Sequence, residues 1–164
     1  QPDQAEGHMR RIILALITHG AALGIGFGLG VYLLPILTAP PSPDAAVLEE
    51  MARDAIYETE FQQDLRGQDF LHWGNGSVSI TPTQIVHTGE LAPGPDYMLY
   101  LVPEFVAHED EFEPLKSQSR VLGSIKTFNG FAIDIPADVD LEDYTTVLVW
   151  CEAFGEFITA AQYR

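Results

Sequence analysis

The feature that most constrains this chain is an unbroken apolar run from Ile12 to Leu37 that contains no fully charged side chain. At about 1.5 Å of rise per residue, the run would reach roughly 39 Å as an α-helix. The hydrocarbon layer of a bilayer is about 30 Å thick, so the run is long enough to cross it. It is too long for the core of an ordinary signal peptide, and no small-residue cleavage site follows closely. The sequence therefore predicts an uncleaved signal anchor, a transmembrane helix at residues 12–37.

The charges on either side of this run predict its orientation. Arg10 and Arg11 precede it, and no Lys or Arg follows until Arg53. Because positively charged flanks stay on the cytoplasmic side, we expect residues 1–11 to be a short cytoplasmic tail and the region after the helix to lie outside. The predicted location is a single pass through the inner (cell) membrane, with a periplasmic or otherwise extracytoplasmic C-terminal domain.

Glycines inside the run recur at a spacing that suits helix packing. Gly20, Gly24 and Gly28 are four residues apart and fall on one helix face. Small residues let two membrane helices approach closely, which favours their association. Glycine is also common in membrane spans generally, but three in register favour a packing face. This face predicts contact with other membrane protein subunits through the transmembrane helix.

The chain as a whole is strongly acidic. The formal net charge is −16, with 24 acidic residues against 8 Lys and Arg. Nucleic-acid binding needs clustered positive charge to meet the phosphates, so this composition excludes a nucleic-acid partner. A basic or redox protein partner is compatible with the same surface, because opposite charges steer association.

The organisation of the remaining sequence predicts an all-β domain. Residues 38–56 begin with the proline-rich segment TAPPSPDAA and form a linker with a short helix, for which Asp44 is the expected N-cap. Residues 57–164 alternate short apolar runs with turn residues about every eight to twelve positions, which is typical of a sandwich or barrel. We expect an antiparallel β-sandwich or barrel-like domain, preceded by one transmembrane helix and with Trp150 in its core.

No catalytic motif stands out. The sequence contains none of the usual glycine-rich phosphate loops, zinc-protease helices or nucleophile elbows. An acidic segment at residues 107–114 offers oxygen ligands, but on so acidic a protein it is better interpreted as a solvated loop, and we predict no metal site. The sequence therefore favours a protein that is not an enzyme.

The only cysteine, Cys151, lies in the stretch TTVLVWCEAFGEF at residues 145–157. Side chains alternate between the two faces of a strand, and the run before Cys151 is apolar on both faces, which predicts a central strand buried on both sides. A free cysteine there normally packs as a small apolar residue, and nearby acids would raise its pKa. The alternative is that the thiol carries the chemistry. The residues alone leave both interpretations open.

Four segments of the outer region occur in an order that resembles one known family. They are 72-HWGNGSVSI-80, 94-GPDYMLYLV-102, 122-LGSIKTFNGFAIDIP-136 and 144-YTTVLVWCEAFGEFITAAQ-162. Together they resemble the DM-13 domain family, over about residues 57–164. The resemblance implies an all-β fold and a role in electron transfer or redox modification outside the cell. It also implies that the family's cysteine, here Cys151, is the redox residue, as a free thiol or as a ligand of a prosthetic group.

The resemblance leads to two functional hypotheses. In the first, the chain is a membrane-anchored redox module that works through Cys151. His72 is then its second site residue, because cysteine and histidine are the usual haem and soft-metal ligands. The sequence does not specify whether haem or a metal binds. In the alternative, the chain is a non-catalytic accessory or interaction subunit of a larger membrane complex, docked through its glycine face.

Overall fold

A computed structural model describes residues 2–164, with side chains described from residue 6 onward. Its first element is a single helix, α1, at Pro2–Thr38. The part from Glu6 to Thr38 is long and apolar enough to cross a membrane. The helix begins before the predicted boundary at residue 12, because the polar residues ahead of the apolar run are helical as well.

The linker carries a second, short helix, α2, at Ala45–Met51. Asp44 stands at its N-cap position, but its side chain caps no backbone N–H. The single buried residue of α2 is Leu48, and its Cδ1 would lie 2.6 Å from a Cβ added at Gly130. Leu48 therefore packs the linker against the outer domain at Gly130, where a residue larger than glycine would not fit.

The outer domain contains eight strands in the described chain. They are β1 at Tyr57–Phe61, β2 at Gly74–Ile80, β3 at Gln84–Leu91, β4 at Tyr97–Val102, β5 at Arg120–Ile125, β6 at Phe131–Asp134, β7 at Thr146–Cys151 and β8 at Glu156–Gln162. They form two antiparallel sheets of order β1-β2-β3-β6 and β5-β4-β7-β8. The predicted sandwich-like fold is confirmed. The barrel-like alternative is wrong, because the edge strands of one sheet do not pair with those of the other.

Strand β7 is buried along its whole length. Val147, Val149 and Cys151 face the core between the two sheets. Leu148 and Trp150 point the other way, into a second apolar cluster on the outer face of the β5-β4-β7-β8 sheet. The predicted burial on both faces is confirmed. Trp150 is buried as expected, but in the outer cluster rather than between the sheets.

A short segment after β4 covers that outer cluster. It consists of helix α3 at Glu109–Phe112 and a 3₁₀ turn at Glu113–Gln118. Phe112 is fully buried, and its ring centroid lies 4.8 Å from that of Trp150 and 5.2 Å from that of Tyr100. The expectation of a solvated loop at residues 107–114 is therefore wrong at Phe112. This aromatic side chain packs against the sheet and holds the acidic segment on it.

Candidate functional site

Cys151 lies at the end of β7, at the edge of the core. Its side chain is 3% exposed, and Tyr97 on β4 is its partner in the strand register. The thiol donates a hydrogen bond to the carbonyl oxygen of Pro95 at a sulfur–oxygen distance of 3.1 Å. The strand thus holds the thiol in one place, with its proton directed at a backbone acceptor.

The surroundings of Cys151 favour the protonated thiol. Burial raises the pKa of Cys151, and the carboxylates of Asp96 and Glu156 raise it further, whereas the N–H groups of Phe154 and Ala153 oppose the rise. Because the thiolate is both the nucleophile and the metal ligand, Cys151 must lose its proton before it can act in either role. A ligand that displaces the hydrogen bond from the thiol to the Pro95 carbonyl would therefore also have to promote deprotonation of Cys151.

The acid next to Cys151 in sequence belongs to the other face of the sheet. One carboxylate oxygen of Glu152 lies 2.6 Å from Nζ of Lys116, and the other accepts a hydrogen bond from the hydroxyl of Tyr100. Burial raises the pKa of Glu152, but the hydrogen bonds from Lys116 and Tyr100 lower it by more, so this carboxyl is held ionised. Glu152 therefore fixes the cover of the outer cluster and does not serve as a base for the thiol.

Cys151 and His72 line the same cavity, which lies between α1 and the loops at one end of the sandwich. Its volume is about 350 Å³, within the range of about 300–1,000 Å³ that is usual for ligand sites. Its wall is mostly apolar and aromatic, and is formed by Phe27, Gly28, Val31, Tyr32, Leu71, His72, Pro93, Gly94, Pro95, Tyr97, Cys151 and Phe154. The structure thus brings together the two site residues that the sequence singled out, and adds the helix as one wall.

His72 is oriented by a neighbouring carboxylate. Its Nδ1 lies 3.1 Å from Oδ1 of Asp69, and the same oxygen accepts hydrogen bonds from the backbone N–H groups of Leu71 and His72. Burial raises the pKa of Asp69, but these hydrogen bonds lower it by more. A carboxylate that accepts from one ring nitrogen of a histidine leaves the lone pair on the other nitrogen, as in many metal sites. Nε2 of His72 is thereby left to act as a ligand or acceptor.

The residues at the cavity suit some prosthetic groups and not others. No cluster of three or more histidine, cysteine or acidic side chains able to hold a metal ion occurs among the described residues, so a metal ion ligated by the chain alone does not fit. Thiolate and imidazole are both known haem ligands. Cys151 and His72 would be the residues that hold such a group, the thiol after it has lost its proton, and the group would supply one-electron redox chemistry.

A further histidine, which is buried, could not be recognised as a candidate from the sequence. His87 on β3 is fully buried, and its ring lies between those of Phe61 and Phe131 in tilted contacts, at centroid distances of 5.1 and 5.0 Å. Its Nε2 lies 2.8 Å from the carbonyl oxygen of Asn75, whereas Nδ1 finds no partner among the residues that the structure describes. Its place in the strand run QIVHTGEL could have indicated burial, since that run is apolar around it.

The burial of His87 predicts sensitivity to mild acid. Burial lowers the pKa of His87 below its ordinary value of 6.5, so the unfolded chain binds a proton more readily than the folded one. The free energy of unfolding should then fall as the pH drops below 6.5, by up to about 1 kcal/mol for the first unit. We expect the melting temperature to fall more between pH 7.5 and 5.5 for the wild type than for His87→Gln, which keeps a donor for Asn75 but cannot titrate. Equal falls would contradict the prediction.

Comparison with known families finds one match. The family described as electron transfer DM13 matches residues 59–163, which span the whole sandwich from within β1 to just beyond β8. Cys151 and His72 both lie inside the matched region. Comparisons with curated proteins and with solved structures find no match.

Proposed function

The chain belongs to the electron transfer DM13 family, and from this premise we propose that it is a membrane-anchored electron-transfer domain that works outside the cytoplasm through Cys151. Helix α1 is the anchor, with residues 1–11 on the cytoplasmic side and the sandwich in the periplasm or its equivalent. The observation that carries the proposal is the cavity shared by Cys151 and His72. Two ligand-type side chains from distant parts of the sequence converge there, on the side of the sandwich that meets the anchor.

In this proposal the chain's own residues bind and orient a redox group. Cys151 supplies the thiol or, after deprotonation, a thiolate ligand, and His72 supplies Nε2. Asp69 positions the imidazole of His72 through Nδ1. A bound haem-type group would supply reversible one-electron chemistry. The wall of the site is mostly apolar, and the acidic surface of the domain favours a basic redox protein as the partner that exchanges electrons with it.

Cys151→Ser tests the role of the thiol without changing the size of the side chain much. The serine hydroxyl can donate to the Pro95 carbonyl as the thiol does, so we expect the melting temperature to change little. The visible absorption spectrum and the metal content of the purified full-length protein should both show a bound group in the wild type. We expect Cys151→Ser to lose that group.

Ala161→Ser is the matched control for this substitution. Ala161 on β8 is also 3% exposed and belongs to the same core cluster, but it does not line the cavity. It should keep the bound group even if the new hydroxyl costs stability. Loss of the group in both variants would assign the effect to the core rather than to Cys151, and full retention in Cys151→Ser would contradict the proposal.

A second function is supported by a different observation. No described atom lies within 4 Å of a Cβ added at Gly20, Gly24 or Gly28, beyond the helix's own nearby backbone. The chain therefore leaves room for close approach along the glycine face of α1, although Gly28 also lines the cavity with Cys151, and we propose that this face docks a helix of another membrane protein subunit. The chain would then be an accessory or interaction subunit, with or without a redox role.

Gly24→Leu should weaken this docking, because a large side chain prevents the close approach of two helix backbones. Copurification of the membrane partners with the tagged full-length chain measures the effect. Gly26→Leu is the matched control, because Gly26 is equally uncovered and lies about 200° away around the helix from Gly24. Partners retained by Gly26→Leu and lost by Gly24→Leu support docking through the glycine face. Equal retention by both variants would refute it.

A further inference from the structure

Three loops of the sandwich lie beside the C-terminal part of α1, near Phe27 and Val31. Leu71 precedes β2, Pro95 precedes β4, and Phe154 lies in the turn between β7 and β8. Phe154 and Pro95 line a gap with Phe27 and Val31 of the helix, and Leu71 lines the neighbouring cavity with the same two helix residues. The positions of these loops along the helix are therefore known.

The length of the apolar run places that part of the helix within the bilayer. If the run starts at the membrane boundary set by Arg10 and Arg11, about 30 Å of hydrocarbon accommodates about 20 residues, from Ile12 to about Val31. Phe27 and Val31 then lie at the outer edge of the hydrocarbon layer. Side chains of the sandwich at the same level as these two residues lie at that edge too.

The side chains at the tips of these loops suit such a position. Phe70 is 86% exposed and Phe154 is 52% exposed, and Leu71 is also exposed. The loop tips Phe70–His72, Pro93–Pro95 and Ala153–Gly155 contain no carboxylate, although the chain as a whole carries a net charge of −16. The tips nearest the helix are therefore apolar, and the acids Asp69, Asp96, Glu152 and Glu156 stand directly beside them.

We propose that Phe70, Leu71 and Phe154 insert into the outer leaflet of the bilayer, so that the sandwich is seated on the membrane and the cavity with Cys151 opens toward lipid. The inference rests on the anchoring proposed above, but it does not depend on a redox role. The partner is a zwitterionic lipid surface, because the acids that flank the tips would be repelled by anionic lipid. Aromatic side chains at the hydrocarbon edge are typical of proteins that contact a membrane.

Spin labels test the seating directly. Full-length chains with Phe154→Cys or Phe70→Cys are labelled with a nitroxide and reconstituted into phosphatidylcholine vesicles, and wild-type protein measures any labelling of the buried Cys151. Phe105→Cys is the control, since Phe105 is 44% exposed and lines a groove with β1 and β8 residues rather than with the helix. Collisions with dissolved oxygen, which concentrates in lipid, are compared with collisions with a water-soluble nickel complex.

The expected result is a high oxygen and low nickel collision rate at positions 70 and 154, and the reverse at position 105. Nickel rates at 70 and 154 as high as at 105, on chains that float with the vesicles, would overturn the seating while leaving the anchor intact. Failure of the chains to float would remove the anchor and the seating together. Low nickel collision rates at positions 70 and 154 that rise when the protein is diluted in excess lipid would show that a second copy of the chain, not lipid, covers these side chains. That result would also overturn the proposal.

Discussion

Phe112→Ala is expected to lower the free energy of unfolding of the outer domain by about 3–5 kcal/mol, the usual cost of truncating a buried phenylalanine. Phe112 is fully buried and packs against both Trp150 and Tyr100. Its loss would open a cavity over the outer face of β7 and release the cover formed by α3 and the 3₁₀ turn. Since domains of this size have a total stability of about 5–15 kcal/mol, this loss removes between about a fifth and all of the domain's stability.

Urea unfolding followed by tryptophan fluorescence measures this loss, because Trp150 lies directly beneath Phe112. Phe105→Ala serves as the control, since Phe105 is 44% exposed and truncating an exposed side chain usually changes stability by no more than about 0.5 kcal/mol. A loss below about 1 kcal/mol in Phe112→Ala, with the Trp150 emission shifted toward that of a solvated indole, would mean that the cover can detach without unfolding the sandwich.

Gly76→Ala is expected to be equally severe. Gly76 on β2 has φ +106°, a conformation that residues with a Cβ rarely adopt, and an added Cβ would lie 2.3 Å from the carbonyl oxygen of Thr88. The strain costs about 1–3 kcal/mol and the overpacking about as much again. Because the clash is with the backbone of β3, no side-chain rotation relieves it. We expect the β2–β3 pairing to be disrupted and the free energy of unfolding to fall by about 2–6 kcal/mol.

Gly123→Ala on β5 is the matched control for this prediction. An added Cβ there would meet only Cγ2 of Ile133, at 3.4 Å, and the backbone of Gly123 is not in the left-handed region. This substitution should change stability little or raise it by up to about 1 kcal/mol, because alanine reduces the entropy of the unfolded chain. Similar urea midpoints for the two variants would contradict the account of Gly76.

Much of the fold could be predicted from the sequence because its signals are local. The charge-free run from Ile12 to Leu37 is by itself enough to predict a helix that is long and apolar enough to cross a membrane. The unbroken apolar run Val147–Trp150 predicts burial on both faces of the strand without knowledge of any neighbour. The choice between sandwich and barrel could not be made, because it depends on whether edge strands far apart in sequence pair with each other, and no local pattern records that.

The features of the fold and the site that the sequence does not predict depend on contacts between residues far apart in the sequence. Phe112 lies among acids in the segment EDEFE, so its burial depends on Trp150 and Tyr100 being beneath it. The chemistry of cysteine and histidine and the family resemblance point to Cys151 and His72 as candidates, but nothing local indicates that they line one cavity. The helix wall of that cavity was unpredictable for the same reason, because it requires the loops of the sandwich to fold back against residues 27–32.

An equilibrium redox titration tests the central claim, that electron transfer runs through Cys151, most directly. The full-length protein in detergent is titrated with mediators while its absorption is followed, and Cys151→Ser and Ala161→Ser are measured in parallel. We predict a reversible transition in the wild type and in Ala161→Ser that is absent from folded Cys151→Ser. A transition with the same midpoint and amplitude in Cys151→Ser, or no transition in the wild type, would contradict the account and leave Cys151 as a residue of the core.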